Sequence, residues 1–341
     1  MAHIAMVVTN ACAPDPRVER HAIWLTELGH DVEIHAWDRQ CTNPRLEQKN
    51  GYKIVRYQFG VVGSSTPFRT WFMKKKFISN LKLEHDLLIL NDTDTANVNF
   101  QGPVILDIHD LAHTWPLMRG NSPLHKFASS RMLSQAKRII RDADEIVVSA
   151  PDFCKWVAKY GRDSTCVMNR RSSFSIPITK EKVVGYFGRI RELEPIISLL
   201  DAAKKAGFKV ILAGDGSEVE NVLREYSDVD YRGPFTEEDL PNLMKEISVM
   251  YAMYNEKRAN IKNGAIPTKM LDAAAFGIPS IVNQNTPMGE LCESEELGKT
   301  APYGDIEKIS EAMLQAHGME ISKIKGEDKL EFIRVVRKLL D

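Results

Sequence analysis

The feature that most constrains the fold is an alternation of short apolar segments with amphipathic ones, which occurs in two series along the chain. In the first series, the apolar runs at 104–106 and 146–148 carry no polar residue at alternate positions. Such strands are covered on both faces, as in a parallel sheet between helix layers. A second series begins at residue 183, after the polar, proline-containing stretch 172–180.

The two series predict an α/β chain with two doubly wound, Rossmann-like domains facing a central cleft. We expect an N-terminal domain at 1–174, a C-terminal domain at 181–325 and a last helix within 326–341. Whether that helix packs back onto the first domain is left open. In such folds, ligands bind beyond the carboxyl ends of the strands.

Composition excludes several classes of protein. The 341 residues are 43% apolar and 27% charged, with a net charge of −1, which is typical of a globular protein without a global attraction to nucleic acid. No apolar run approaches the roughly 20 residues of a membrane span, and the N-terminus is interpreted as a strand rather than a signal peptide. Five scattered cysteines without a Cys-x-x-Cys predict neither disulfides nor a zinc site, and they fit a cytoplasmic location.

The segment 265–272 is the first candidate site, because it opens a predicted helix at Pro267. Helix starts carry free N–H groups and partial positive charge, which suit a phosphate, and Lys269 adds a full charge there. Asp272 is three residues further on and therefore shares a face with Lys269. The pair suits a pyrophosphate and a ribose diol; the alternative is a surface ion pair between the two side chains.

Three further turns of the second series carry polar or glycine residues. Gly188 and Arg189 end a buried strand, where glycine permits close approach and arginine grips phosphate oxygens, although such an arginine is also often solvated. Gly214 lies in a Gly-x-Gly turn that lacks a third glycine, since Val219 stands at that position, so it is interpreted as a tight turn lining the cleft. Glu290 follows a later strand, where it either enters the cleft or complements a helix dipole.

In the first series, Asp-Ile-His-Asp at 107–110 ends a buried strand. His109 could donate to a sugar hydroxyl or phosphate, with a carboxylate fixing its tautomer; the alternative is a structural histidine. Arg17 in the predicted first helix faces either the cleft or solvent. Arg17 and Asp110 are candidate site residues of the first series.

These segments, in this order, resemble the GT-B glycosyltransferases, most closely the family-four group of retaining enzymes that build surface polysaccharides and glycolipids. The resemblance covers residues up to about 300 and includes the first βαβ unit, the 107–110 strand end, Gly-Tyr-Phe-Gly-Arg at 185–189 and the 267–277 helix. It implies that Arg189 and Lys269 bind the donor pyrophosphate, that Asp272 binds the ribose and that His109 contacts the donor sugar or its phosphate.

The catalytic candidates are therefore His109, Arg189 and Lys269, and the resemblance places Arg17 and Asp110 on the side of the sugar acceptor. The candidate donor-binding residues are Gly188, Arg189, Gly214, Asn263, Thr268, Lys269, Asp272, Gly289 and Glu290.

Two positions depart from the family pattern. The family often has two glutamates eight positions apart, and here Gly264 stands at the first and Asp272 at the second. The usual lysine after the Gly-Arg is replaced by Glu194, and Lys269 is a candidate substitute. Asn263 or the backbone amides of 264 and 265 are candidates for orienting the transferred sugar.

The resulting hypothesis is transfer of a sugar from a nucleoside diphosphate-sugar to a hydroxyl of a saccharide or lipid-linked acceptor, in surface polysaccharide or glycoconjugate synthesis. We expect no cofactor and no metal, since no Asp-x-Asp is positioned for a divalent ion, and retention follows from the resemblance alone. The alternatives are a UDP-sugar 2-epimerase, a degenerate nucleotide-sugar-binding scaffold and, ranked lower, a nicotinamide dehydrogenase.

The segment 67–78 mixes aromatic and basic residues. It could lie on the anionic inner face of the cell membrane and bring the enzyme to a lipid-linked acceptor. The alternative is a helix with a solvated basic face and an aromatic core face.

Overall fold

The computed structural model describes residues 1–63, 67–118, 120–321 and 325–340, except for the side chains of Pro67 and Phe68. The chain divides into two compact units: unit 1 is Met1–Met168 with Asp328–Asp341, and unit 2 is Asn169–Glu327. This boundary corrects the sequence prediction, because residues 169–174 belong to unit 2. The physical reason is that Arg171 and Phe174 are bonded to a helix of unit 2.

Unit 1 carries an eight-stranded sheet in the order β3-β4-β2-β1-β5-β6-β7-β8. All neighbouring strands are parallel except β3 and β4. The elements before residue 169 are β1 (His3–Val8), α1 (Pro16–Glu27), β2 (Asp31–Trp37), β3 (Leu46–Lys49), β4 (Tyr52–Tyr57), α2 (Pro67–Ser79), β5 (Leu87–Asn91), β6 (Val104–Ile108), α3 (Trp115–Met118), α4 (Pro123–Asp142), β7 (Glu145–Val148), α5 (Pro151–Ala158) and β8 (Thr165–Cys166).

Unit 2 carries a six-stranded parallel sheet in the order β11-β10-β9-β12-β13-β14. Its elements are β9 (Val183–Phe187), α6 (Leu193–Ala206), β10 (Lys209–Ala213), α7 (Val219–Glu225), β11 (Asp230–Tyr231), α8 (Leu240–Lys245), β12 (Val249–Tyr251), α9 (Ala259–Lys262), α10 (Thr268–Ala275), β13 (Ser280–Asn283), α11 (Pro287–Ser294), β14 (Gly298–Ala301) and α12 (Ile306–Ala316). The predicted pair of α/β domains with parallel sheets is confirmed.

The last helix, α13 (Lys329–Leu340), packs within unit 1. Phe332 is fully buried in the core formed by α1 and the sheet, and its ring stacks on His21 with centroids 4.0 Å apart. The carboxylate of Asp328 accepts the backbone N–H of Met168 at 2.8 Å. Unit 1 is therefore built from both ends of the described chain.

Each sheet has a point at which the strand order reverses. In unit 1, β1 pairs with β2 on one side and β5 on the other; in unit 2, β9 pairs with β10 and with β12. Loops that leave the carboxyl ends of such neighbours diverge, and the gap between them is where α/β folds bind ligands.

Helix α2 contains the predicted membrane segment. Phe77 is fully buried, whereas Trp71 and Phe72 are 52% and 58% exposed. Lys75 is exposed beside them. Neither prediction for this helix fits completely, because its aromatic residues divide between core and surface. Among the described helices, none is long and apolar enough to cross a membrane.

Candidate active site

Two loops at the carboxyl edge of the unit 2 sheet pack backbone against backbone. Gly188 follows β9 with a φ of 141°, and Gly214 follows β10 with a φ of 133°. A Cβ on Gly214 would lie 2.0 Å from the carbonyl oxygen of Gly188, so no other residue fits at this position. Gly214 therefore shapes the loop that carries Gly188 and Arg189.

Lys269 lies beside this loop, in the first turn of α10. The residue is 8% exposed, and its Nζ lies 3.3 Å from the ring centroid of Tyr186 and 5.2 Å from that of Tyr254. Burial, and then the charge of Arg258, lower the pKa of Lys269 well below its usual value. Within the described residues, this amino group has the two aromatic faces as neighbours and forms no hydrogen bond or ion pair. Burial disfavours the charged form of this amino group, and a bound anion would stabilise that form.

Three arginines are linked to this position electrostatically: the charge of Arg258 acts on Lys269, and Arg191 is affected by Arg189 and Arg258. Arg189 is paired with Asp215 across 3.2 Å, but both side chains are more than half exposed, so the pair is weak. Burial, followed by the charges of Arg189 and Arg258, lowers the pKa of Arg191. The Arg258 guanidinium lies 5.2 Å from the centroid of the Tyr254 ring. We name Arg189, Arg191, Arg258 and Lys269 the cationic cluster; their mutual repulsion would be relieved by a bound anion.

Asp272 lies on the same helix but does not pair with Lys269. Its carboxylate forms an ion pair with Arg171, and the side chain is 16% exposed. The surface Lys269–Asp272 pair, left open by the sequence, is therefore not formed.

In unit 1, His109 sits between two carboxylates at the ends of β5 and β6. Its Nε2 lies 3.1 Å from Asp107 Oδ2 and its Nδ1 lies 3.9 Å from Asp92 Oδ2. Burial opposes the charged form, but Asp107 and Asp92 raise the pKa of His109 to about 9. The imidazole is therefore a cation at neutral pH, with a side chain that is 16% exposed.

Arg17 lies behind this histidine rather than in solvent. It is 5% exposed; its Nη2 donates to Asp107 Oδ1 at 2.6 Å, and its Nη1 donates to the carbonyl of Val167 at 2.6 Å. His21 Nδ1 lies 3.1 Å from Asp107 Oδ2 without hydrogen-bond alignment, and burial lowers its pKa to about 4. Although burial favours protonation of Asp107, Arg17 and His109 hold the pKa of Asp107 well below its usual range. Arg17 thus holds in place the Asp107 carboxylate that raises the pKa of His109.

Asp92 organises the loop after β6. Its φ is 65°, and its Oδ1 accepts the backbone N–H groups of His109 at 2.7 Å and Asp110 at 3.0 Å. Asp110 itself accepts from Trp115 Nε1 at 3.1 Å, which stabilises the turn that follows. We name Arg17, Asp92, Asp107 and His109 the histidine–aspartate cluster.

A family model matches most of unit 2. The family model described as Glycosyl transferases group 1 matches residues 181–318. No curated protein matches this sequence.

Solved structures similar to this glycosyltransferase have the GT-B fold. Sucrose-phosphate synthase from Thermosynechococcus elongatus matches with a TM-score of 0.72 and 16% identity, over 100% of this chain and 95% of that one. Anabaena HepE, in complex with UDP and glucose, matches with a TM-score of 0.69 and 14% identity, over 100% of this chain and 99% of that one. A TarM mutant from S. aureus, in complex with Fondaparinux, alpha-GlcNAc-glycerol and UDP, matches with a TM-score of 0.69 and 9% identity. The match covers 100% of each chain. The predicted glycosyltransferase class and GT-B fold are confirmed.

The other predicted donor residues of unit 2 lie on a loop and in the first turns of two helices. Asn263 is exposed and donates to the carbonyl of Ala259 at 2.6 Å, while Thr268 is exposed at the start of α10. A Cβ on Gly289 would lie 2.4 Å from the carbonyl oxygen of Asn283, so this glycine is required where α11 packs against the end of β13. Glu290 is exposed in the first turn of α11.

Sequence reasoning missed Arg191, Arg258 and Asp92. Arg191 had a signal, because it follows Arg189 by two positions and therefore shares its side of an extended segment. Arg258 had none, since it lies on an irregular loop after β12. Asp92 follows a strand with an apolar run at 87–90, which is the same signal that identified Asp107–Asp110.

Proposed function

We propose that this glycosyltransferase moves a sugar from a uridine diphosphate-sugar to a hydroxyl of a saccharide or lipid-linked acceptor in surface polysaccharide or glycoconjugate synthesis. The observation that carries the proposal is the buried Lys269 ammonium, which has aromatic neighbours and no described counter-ion. A pyrophosphate would supply that charge. The uridine base is favoured because a HepE structure contains UDP-glucose and a TarM structure contains UDP.

The cationic cluster matches the charge that develops when the sugar–phosphate bond breaks. The leaving nucleoside diphosphate becomes more negative, and preorganised positive groups stabilise such charge most effectively at a site of low dielectric. Lys269, Arg258 and the first turn of α10 would take this role, with Arg189 and Arg191 at the exposed side. We propose a reaction that retains configuration and needs no metal; product NMR and activity in EDTA test these two points.

His109 is proposed to act on the donor sugar or its phosphate. Its imidazolium carries a donor N–H, and Asp107 holds the ring in place. A cation here would bind an anionic or hydroxyl-bearing group but would be a poor proton acceptor below pH about 9.

The decisive experiment compares UDP binding to Lys269→Met and to Lys209→Met by calorimetry. Lys209 is a matched control, because its side chain is 78% exposed and paired with Glu181. A charged hydrogen bond contributes about 1.5–3 kcal/mol, so its loss in Lys269→Met should weaken UDP binding about 10- to 100-fold. The affinity of Lys209→Met for UDP should not change. Unchanged affinity of Lys269→Met for UDP would remove the basis of the proposal.

Turnover distinguishes the alternatives. A panel of saccharide and lipid-linked acceptors with UDP-sugars should yield a glycosylated product. Release of a free hexose-like product without an acceptor would indicate a 2-epimerase, and donor binding without turnover across the panel would indicate a binding scaffold.

We also propose that the enzyme works in the cytoplasm at the inner face of the cell membrane and contacts it through α2. Exposed Trp71 and Phe72 beside exposed Lys75 support this, since such side chains favour an anionic interface. Trp71→Ala with Phe72→Ala should reduce sedimentation with phosphatidylserine vesicles, whereas Leu124→Ala, at a site 62% exposed, should not. Equal sedimentation of all three proteins would contradict membrane contact through α2.

A further inference from the structure

The segment that enters unit 2 is bonded to helix α10, the helix that carries Lys269 and Asp272. The backbone N–H of Phe174 donates to the carbonyl of Ala275 at 2.8 Å. The rings of Phe174 and Phe276 stack with centroids 4.6 Å apart and planes within 8°. Because the backbone and a ring of this segment both contact the end of α10, the residues before Phe174 are held close to that helix.

Arg171 uses this placement to reach two carboxylates. Its Nε donates to Asp272 Oδ1, and its Nη2 lies 2.5 Å from Glu237 Oε2. The Arg171 and Asp272 side chains are 18% and 16% exposed, so water screens their contact only partly. Burial opposes the charge of Arg171, but Asp272 and Glu237 together raise its pKa above the usual value.

This contact determines how Asp272 can be used. A short side chain on a helix can adopt several rotamers, and an ion pair to a guanidinium selects one of them. A carboxylate has about four acceptor positions, so a bond from Arg171 is compatible with further bonds from hydroxyl groups. Asp272 also lies on the face of α10 that carries Lys269, at the i+3 position.

We propose that Arg171 is a positioning residue that orients the Asp272 carboxylate toward the ribose hydroxyls of the donor. Glu237 supports it by pairing with Nη2 of the same guanidinium. This inference rests on the proposed function, because it requires a nucleotide whose pyrophosphate lies at the cationic cluster. It adds a specificity residue from outside the helix that carries the binding groups.

Ribose recognition is separable from pyrophosphate binding by the choice of ligand. UDP and 2′,3′-dideoxy-UDP share base and pyrophosphate but differ in the two hydroxyls. Calorimetry with both nucleotides should be run on the wild-type chain, Arg171→Ala, Arg171→Lys and Asp272→Asn. Arg232→Ala is the control, because Arg232 also bridges two carboxylates, Asp230 and Glu246, but does so among exposed side chains.

Arg171→Ala should weaken UDP binding about tenfold, the loss expected for one misplaced charged hydrogen bond, and leave dideoxy-UDP binding unchanged. The UDP affinity of Arg171→Lys should lie between those of Arg171→Ala and the wild-type chain, since lysine keeps the charge but lacks the forked N–H donors of the guanidinium. The double variant Arg171→Ala with Asp272→Asn should lose no more affinity for UDP than Asp272→Asn alone. Circular dichroism should show that each variant is folded.

The outcomes separate this inference from the function on which it rests. If the wild-type chain binds neither nucleotide, the proposed function fails. If it binds both nucleotides equally, or if Arg171→Ala weakens both to the same degree, Arg171 does not position a ribose ligand, while pyrophosphate binding at Lys269 stands.

Discussion

At the scale of single residues, binding and stability oppose each other at Lys269. An ammonium taken out of water without a counter-ion destabilises the ligand-free protein, and the cost is recovered only when an anion arrives. The lowered pKa has the same origin, since the folded chain releases this proton more readily than the unfolded chain does. Between the lowered pKa and about pH 10.4, the unfolded state binds more protons, so stability rises with pH.

Lys269→Met is therefore expected to stabilise the ligand-free protein. We expect the free energy of unfolding in urea to rise by about 1–2 kcal/mol at pH 7, because the substitution removes a desolvated charge and keeps an unbranched apolar stem. The gain should shrink as the pH approaches 10. Lys209→Met should stay within about 0.5 kcal/mol of the wild-type chain. A less stable Lys269→Met would mean that the Tyr186 face stabilises the cation by more than its desolvation costs.

His109 has the opposite pH dependence. Its pKa is raised from 6.5 to about 9, so its stabilising contribution is complete below pH 6.5 and is lost as the pH rises through about 9. Burial raises the pKa of Asp92 to about 7, so at pH 6 the contact with Asp107 carries most of the effect.

We expect His109→Gln to lower the free energy of unfolding by about 1–3 kcal/mol at pH 6 and by less at pH 10. Urea titrations at the two pH values measure the difference. His3→Gln is the control, because its contact with Asp31 is more than half exposed. A loss for His109→Gln that is equal at both pH values would show that the side chain contributes packing rather than charge.

At the scale of elements, the glycine in the loop after β10 and the glycine at the end of α6 are required for different reasons. Gly214 combines a φ of 133° with a neighbouring carbonyl oxygen 2.0 Å from the position of a Cβ. Gly207, after α6, has a φ of 71° and nothing within 4 Å of that position. The first glycine is required by contact and by conformation, and the second by conformation alone.

Gly214→Ala should therefore lower the free energy of unfolding by more than about 3 kcal/mol, against about 1 kcal/mol for Gly207→Ala. Thermal unfolding of the two variants gives the comparison. Gly214→Ala should also weaken UDP binding, because a displaced Gly188 loop moves Arg189. Equal losses of stability would show that the two loops can separate without cost.

The element pattern was predictable wherever a strand contains an unbroken apolar run, as in β1, β5, β6 and β9. Strand β3 was not predicted, since Leu-Glu-Gln-Lys at 46–49 has no apolar run. It forms because the edge of β4 offers unpaired backbone groups, which any sequence can use. In β12, the ladder covers only Val249–Tyr251, although apolar residues continue to Met253, so the apolar run is longer than the strand.

At the scale of the whole molecule, unit 1 depends on a helix that follows unit 2 in sequence. Phe332 is fully buried against His21 and Trp24, with which it forms ring contacts at 4.0 and 5.8 Å. Phe332→Ala should cost about 3–5 kcal/mol, the usual penalty for emptying a core site of this size. Leu330→Ala, at a site 80% exposed in the same helix, should cost less than about 0.5 kcal/mol.

Differential scanning calorimetry checks this prediction. Phe332→Ala should lower the melting temperature of the transition that includes unit 1. A melting temperature equal to that of Leu330→Ala would show that α13 contributes nothing to the stability of unit 1.

What the sequence by itself determined is the part of the protein that is encoded locally. Unbroken apolar runs specify buried parallel strands, proline and glycine mark the ends of α10, and the order of the motifs identifies a glycosyltransferase. These signals survive without tertiary information because each depends on residues within about one helix or strand of one another.

Only the tertiary structure decided which charges meet. Arg258 acts on Lys269, Arg171 pairs with Asp272, and Asp92 lies beside His109. Each contact joins residues on different elements, so no local sequence pattern predicts it. The burial of Lys269 is likewise decided by two aromatic rings, one after β12 and one within β9. A side chain's charge, pKa and role depend on these distant neighbours, because desolvation and Coulomb interactions act through space rather than along the chain.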